Sequence, residues 1–509
     1  MPTRRWTGAL LIASFAVLPL GAQIAPAVPR QLSLAQALEL ARANNPTYRE
    51  ARMNAEPAAA SVRAAEWARL PMLSASGGAS YTGAGSSSFG GGLTFTQSSP
   101  IVSSNYRLSA SWNLSSRTFI TPSIQRAQQE ATESDIAAAG VSLTNEVTSQ
   151  YIAALRAAAV VRVATQQLAR DSQFLAFARA RQANGQATLI DVLSAQTASA
   201  NHQVQLLQTQ QAALQAKIEL VRRLGIPADA AVDAIGLAEP FALAEPRFEL
   251  SALLATARES NPSIRSAQQR ERASALSAKA ARSDRLPSFS LSTGLSGFTQ
   301  QSTNESALIS NAILSAQGAE ANCSFQNEIL QRLTSPIPGA LIADCKAYAG
   351  LDNSGNALLP DGLTAIHNRN SVFPFNFTKQ PMSLSFGVSM PIWDGFSTSL
   401  RVAQAEASHD QSREATRSQQ LLTDATIQSQ LLAVRTAWAR MAIQDSNRAT
   451  AAQQLRLAQA RYQGGTGTAL ETADAQNAVT QSEVDYVTAV YDYHLAVVAL
   501  EAAVGRPLR

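Results

Sequence analysis

Cysteine is nearly missing. Among 509 residues there are two, Cys323 and Cys345, which leaves room for one bridge and no more. Histidine is almost as rare. His202, His367, His409 and His494 are scattered with no metal-ligand spacing around them, so no metal site is expected. Aromatic residues make up 6 % and charged residues 15 %. The net charge is +4, and Lys/Arg run no longer than short pairs, which argues against nucleic-acid binding. No Gly-rich phosphate loop, nucleophile elbow or Cys/His pair occurs, so the reading is no enzyme and no cofactor. Asp191, Glu471 and Asp474 resemble an acid pair only loosely. A glycosidase needs a concave site, and a helix hairpin offers none.

Long apolar runs are missing as well. The one apolar stretch near the start, Ala9–Leu20, follows Arg4 and Arg5 and precedes small residues. About 12 apolar residues are too few to span a bilayer. The pattern is that of a signal peptide, residues 1–22, with an alternative end at 27. No later stretch reads as a transmembrane helix. No cysteine lies near the cleavage region, so lipid attachment there is not supported. In an exported chain, Cys323 and Cys345 are expected to form a disulfide. Closing a loop of about 20 residues contributes roughly 3 kcal/mol on the chain-entropy account.

Ala, Ser and Gln are abundant instead, and they are arranged twice. LSLAQALELARANNP, ending at Pro46, is echoed by FELSALLATARESNP, ending at Pro262. Arg69-Leu70-Pro71 returns as Arg285-Leu286-Pro287. Gly185, Asp191, Ala195 and Gln196 return as Gly465, Glu471, Ala475 and Gln476, at a longer offset. The second copy has therefore gained an insertion. This divides the chain into a first repeat (23–226), a linker (227–246) and a second repeat (247–509), with an inserted loop at 300–378.

Each repeat runs helix, strand, loop, strand, long helix, glycine break, helix. The strands alternate. Tyr106, Leu108, Ala110, Trp112 and Leu114 oppose Asn105, Arg107, Ser109, Ser111 and Asn113, and Met382 to Met390 alternate with Ser and Gly. Apolar residues on one face and small polar ones on the other suit a barrel wall with a wet lumen. Four strands cannot close a barrel, and lipid forbids an open edge, so several chains must share one. The run from Thr121 to Asn184 lacks proline after Pro122, which predicts a helix on the order of 90 Å long. Val147, Ala154, Val161, Leu168 and Leu175 recur every seventh residue, as in a coiled-coil seam. Tyr486, Val490, Tyr493, Val497, Leu500 and Val504 form a second seam. A secreted structural coiled-coil protein or adhesin is the alternative reading.

Several pieces occur in this order. They are the L-x-x-A-L-x-x-A-x-x-x-N-P start at Leu34–Pro46, RLP entering a strand, PIWDGFSTSLRVAQAEA after the last strand, and the two G-x5-D/E-x3-A-Q hairpins. Together they resemble the TolC-like outer-membrane efflux proteins (outer membrane factors). The resemblance implies a mixed α/β membrane protein of a Gram-negative outer membrane. It implies a homotrimer whose four strands per chain make a twelve-stranded β-barrel, continued into the periplasm by an α-helical coiled-coil barrel. Its partners would be a periplasmic adaptor (membrane fusion) protein, an inner-membrane transporter and outer-membrane lipid. Its role would be a passive duct in tripartite efflux or type I secretion. It also implies that Gly185 and Gly465 turn the periplasmic hairpin tips where the adaptor docks, since glycine tolerates positive φ at a helix end. Glu471 and Asp474 fall where family members carry acidic constriction rings. Tyr462 and Asp191 match two parts of a latch, and Gly467 stands where the third part would be an arginine. A Tyr462–Asp191 tie alone would then hold the entrance. The 300–378 insertion would lie outside the cell as a stapled cap.

Overall fold

The computed structural model describes residues 31–89, 93–97, 99–227, 232, 235–238, 241, 243–332 and 342–508. The signal-peptide reading lies outside these residues, as do parts of the 227–246 linker and of the insertion. The first part of the chain contains β1 (Gln31–Leu32), α1 (Leu34–Asn44), α2 (Pro46–Met53) and α3 (Ala55–Trp67). The strands β2 (Met72–Thr82), β3 (Gly85–Phe89), β4 (Leu93–Gln97) and β5 (Ile101–Leu114) follow, then α4 (Ser116–Ala183), α5 (Leu189–Arg223) and β6 (Gly236–Leu237). Next come α6 (Leu250–Ser260), α7 (Pro262–Ser283), β7 (Ser288–Ser302), α8 (Glu305–Gln331), α9 (Cys345–Tyr348) and α10 (Pro360–Asn370). The chain ends with β8 (Ser383–Ser389), α11 (Ser397–Gln463) and α12 (Ala469–Val504). Two compact units divide it: Val62–Ser123 with Leu276–Glu406, and the remainder.

The first unit holds an antiparallel sheet in the order β2-β5-β7-β8. Its register puts Leu73 beside Ala110, Leu108 beside Leu295, and Leu291 beside Phe386. Paired residues of an antiparallel sheet point to the same side, so the apolar sets of all four strands share one face. That face is exposed at Leu73 (80 %) and Phe386 (68 %) and covered around Ser104 and Thr299, where Ser104 Oγ donates to Pro374 O. The other face is a serine ladder, with Oγ–Oγ bonds Ser74–Ser109 (2.8 Å), Ser80–Ser103 (2.7 Å) and Ser292–Ser385 (2.6 Å). Exposed aromatics flank the sheet in the chain. Trp67, Phe119, Trp393 and Phe396 lie beyond the strand ends on the helix side, and Phe375 lies before β8. The β3–β4 hairpin is an addition that alternation did not predict, because GSSSF offers almost no apolar pattern.

The inserted segment is helical rather than shapeless. Asn304 caps α8, Asp344 caps α9, and the Cys323 and Cys345 sulfurs are bonded with Cα atoms 5.7 Å apart. β7 runs three residues into the segment, to Ser302.

The second unit is built from helices. The helical stretch expected before the first strand is broken into α1, α2 and α3. Asn45-Pro46 makes the first break, since the residue before proline is pushed out of the helical region. Asn45 then does two things. Its Oδ1 caps α2 at Tyr48 N, and its Nδ2 donates to Arg223 O at the end of α5. Asn261 repeats this, capping α7 and donating to Ala503 O. Gly225 (φ +74°) and Gly505 (φ +89°) close α5 and α12 against these asparagines. A Cβ on Gly225 would lie 2.4 Å from Asn44 O. One core gathers Leu32, Ala37, Val147, Tyr151, Ile152 and Leu224, and another gathers Leu253, Ile427, Val434, Val497 and Leu500. Residues in the expected linker pair with the chain start, β6 running parallel to β1, and the Tyr151 hydroxyl donates to Leu32 O and Ala238 O.

The α4 seam departs from expectation. Val147 and Ala154 are buried, but Val161, Leu168 and Leu175 are only half-buried, and the buried positions beyond Val161 are Val163, Ala164, Gln167, Asp171 and Ala178. In α12, Tyr493, Val497, Leu500 and Val504 are buried as the heptad step predicts. One reading needs correction. α12 does contain an 18-residue window, mean hydropathy 1.3, long and apolar enough to cross a membrane. Its Val, Tyr and Leu side chains are those that fill the helical core.

Candidate functional site

Two hairpins, α4–α5 and α11–α12, carry the residues of interest, and both belong to the helical unit. Each turn is made the same way. At the first, Gly185 adopts φ +72°, its N–H bonds Gln182 O, and Gln186 N bonds Arg181 O. At the second, Gly465 adopts φ +75°, its N–H bonds Tyr462 O, and Thr466 N bonds Arg461 O. Nothing lies near either Cα, so the sign of φ requires glycine, not lack of space. Thr188 and Thr468 then start α5 and α12 as N-caps.

The three acids follow these caps and differ in their partners. Asp191 completes a capping box, its Oδ2 accepting from Thr188 N and Thr188 Oγ1, both at 2.8 Å. Glu471 has its N–H on Thr468 Oγ1, but its longer side chain reaches Arg461 Nη1 at 2.7 Å. Asp474 is exposed, and among the described residues nothing hydrogen-bonds or ion-pairs with it.

Tyr462 is 5 % exposed. Its ring packs on Phe174 (5.5 Å between centroids) and Phe177 (5.9 Å), with the Arg181 guanidinium 4.7 Å above it. Arg181 Nη1 also donates to the Tyr462 carbonyl oxygen, tying the first hairpin to the second. The Tyr462 hydroxyl is buried, with no hydrogen-bond partner among the described residues. Burial pushes its pKa up; the nearby Asp191 charge adds to this and Arg181 opposes it. The expected Tyr462–Asp191 bond is not formed: Asp191 Oδ2 folds back on Thr188, and the Tyr462 hydroxyl does not reach the carboxylate. The missing cation at Gly467 has a steric reason. A Cβ there would sit 3.0 Å from Tyr462 N and 3.1 Å from Arg461 Cβ, inside a turn closed by Gly467 N on Arg461 O.

Arg181 and Arg461 were not picked out from the sequence. The signal was present: each is the first residue of its glycine-turn stretch, RQANG and RYQGG. Also missed was a polar network deeper between the hairpins. Asp171, 3 % exposed, accepts from Gln167 Nε2 at 2.7 Å and pairs with His202 Nδ1 at 2.6 Å. Arg170 bonds Gln167 Oε1 (2.9 Å) and Glu483 Oε2 (3.0 Å), and Thr480 donates to Gln167. Helices α4, α5 and α12 are thereby joined. Burial pushes the Asp171 carboxyl above its usual range, with His202 working against it. A cleft of about 290 Å3 lies beside the network, lined by Arg170, Phe174, Phe177, Tyr462, Thr472 and Gln476 among others.

None of this has the layout of a reaction centre; it is a set of ties between two helical hairpins. The comparisons agree with that layout. No curated protein sequence matches the chain. Three solved structures share its fold. The outer membrane protein VceC from Vibrio cholerae is 17 % identical over 94 % of this chain and 97 % of its own, with TM-score 0.65. The Campylobacter jejuni CmeC outer membrane channel is 15 % identical over 93 % and 85 %, with TM-score 0.66. The Neisseria gonorrhoeae MtrE outer membrane channel, in an open state, is 18 % identical over 94 % and 89 %, with TM-score 0.62. A model of the outer membrane efflux protein family matches residues 37–226 and 352–506, which is more than half of the sequence. The chain belongs to the outer membrane efflux protein family, the TolC-like channels of the Gram-negative outer membrane that extend into the periplasm.

Proposed function

We propose that three copies of the chain close one twelve-stranded barrel, continued by a helical tunnel, and that the assembly is a passive export duct. One observation carries this reading. The sheet ends in two unpaired edges, β2 and β8, and its apolar face is exposed at Leu73, Leu108, Leu295, Leu384, Phe386 and Val388. An open edge in lipid leaves backbone groups without partners, so β8 of one copy must pair with β2 of the next. The exposed aromatics beyond the strands suit the two membrane interfaces. The matching caps, asparagines and glycines of the two halves fit an internal duplication of one helix–strand–strand–helix–helix unit.

The duct does no chemistry of its own in this reading and uses no cofactor. An inner-membrane transporter supplies the energy, and a periplasmic adaptor docks at the hairpin tips around Gly185 and Gly465. Leu189, Ile190, Leu193 and Leu470, all more than half exposed beside those turns, give the adaptor an apolar footing. Cargo is small molecules or proteins, as the transporter dictates. Tyr462, Asp191, Glu471 and Asp474 form the periplasmic gate, with Arg181 holding Tyr462. The stapled segment caps the outer mouth. Native mass spectrometry in detergent and planar-bilayer recording test this directly. A trimer that conducts is expected; a water-soluble monomer without conductance would overturn it.

A further inference from the structure

We propose that Arg107 biases the barrel lumen towards anionic solutes, acting against the cation preference that Asp474 gives the periplasmic gate. The inference rests on the trimeric-barrel reading. β2, β5, β7 and β8 contain one formal charge between them, and it is Arg107. It is the seventh residue of the fourteen in β5, at mid-strand. The register places Ser76 on one side of it and Ser296 on the other. It therefore stands on the serine face, with Asn105 and Ser109 as its neighbours on the same face of β5. That face must be the lumen, since an unpaired arginine at mid-strand on the lipid side is strongly disfavoured. Arg107 is exposed, and among the described residues no carboxylate pairs with it.

The charge cluster just before β7 does not oppose it. Asp284 is held by Arg117 at 2.6 Å and has Arg401 at 3.8 Å, so that cluster is positive on balance. Three-fold symmetry would bring three Arg107 side chains to one height. Low-dielectric walls around a water-filled bore focus their field on passing ions. The surrounding serines and glycines contribute dipoles and no charge. The field reaches about 10 Å at 0.1 M salt and about 30 Å at 0.01 M, so the preference should strengthen on dilution.

The test is single-channel recording of the full-length protein in a KCl gradient, with Arg107→Gln and Arg107→Glu beside the parent. Replacing the ring by Gln should lower the chloride-to-potassium permeability ratio about three-fold, and Glu should lower it further. Both effects should grow as salt falls. A parent and an Arg107→Glu variant of equal ratio and normal conductance would overturn the inference and leave the channel intact. An Arg107→Cys variant gives an independent reading. Reaction with an aqueous thiol reagent should reduce its conductance, and full labelling without any change would overturn the lumen placement. A parent protein that inserts but never conducts overturns the channel reading itself, and this inference with it.

Discussion

Substituting His202 by Leu should loosen the α4–α5 hairpin more than substituting His202 and Asp171 together. Asp171 is 3 % exposed and takes two hydrogen bonds, from Gln167 and from His202. Removing one partner of a buried pair costs about 3–5 kcal/mol, because the other is left charged and uncompensated. The His202 side chain keeps 23 % of its surface exposed, so water partly compensates. The expected cost of His202→Leu is therefore about 2–3 kcal/mol, and that of Asp171→Leu about 2 kcal/mol. The double variant leaves only Gln167 Nε2 unpaired and should cost about 1–2 kcal/mol. A coupling of about 2–4 kcal/mol follows. Hydrogen exchange of amides around residues 171 and 202 reads local opening and avoids an irreversible melt. The pH dependence has a defined sense. The folded chain binds the Asp171 proton more tightly than the unfolded chain does. That contribution is complete below the unfolded value near 3.9 and is lost as pH rises through the raised folded value. Asp171→Leu should remove that slope. Additive single costs, or a double variant worse than either single, would refute the reasoning.

Arg181→Ala removes both the bond to the Tyr462 carbonyl and the stacked guanidinium, and should raise resting conductance in planar bilayers several-fold. Tyr462→Phe should leave resting conductance nearly unchanged, because the hydroxyl it removes has no partner. Gly225→Ala forces a Cβ to 2.4 Å from Asn44 O at a positive φ, and should cost more than about 2 kcal/mol by thermal unfolding. The Glu219 carboxyl is held down to about 2, first by its hydrogen bond to Arg222. Its contribution is present above the unfolded value near 4.3 and fades as pH falls towards about 2. Glu219→Gln should flatten the melting profile across that window.

What the sequence discloses follows its periodicities. Residues 382–390 alternate without a break, and β8 lies there. A helix was legible after the first glycine break, and α5 lies there. The α2–α3 break was not, because Asn54 is neither proline nor glycine, whereas the α1–α2 break does carry a proline at Pro46. The polar network escaped for a related reason. A heptad count looks for Val, Leu and Ala, whereas Gln167 and Asp171 are four residues apart on the buried face and look like surface residues in a string. Only His202, 31 residues on and on another helix, explains them. The site was half legible in the same sense. Family resemblance located the acids and Tyr462, but which of them pair depends on side-chain reach.

That reach separates the two hairpin tips. Thr188 is followed at the third position by Asp191, and Thr468 by Glu471. An aspartate is short enough to fold back on its own cap, which spends it locally. A glutamate extends past the cap, and here it meets Arg461 across the turn at 2.7 Å. Arg461 can do this because Gly467 leaves its stem uncrowded; the Cβ of any other residue would press on it at 3.1 Å. The glycine in the latch position and the paired glutamate are thus one arrangement. Its consequence for a trimer is a change in the charge of the throat. In the proposed trimer, with Glu471 paired to its own Arg461, each chain would contribute one unpaired carboxylate, Asp474, and the ring would hold three negative charges rather than six. Asp474→Asn should then abolish most cation preference measured at the periplasmic entrance. Glu471→Gln should change it little and should instead free Arg461. An equal loss of preference in both variants would show that the Arg461 pair does not persist in the assembled channel.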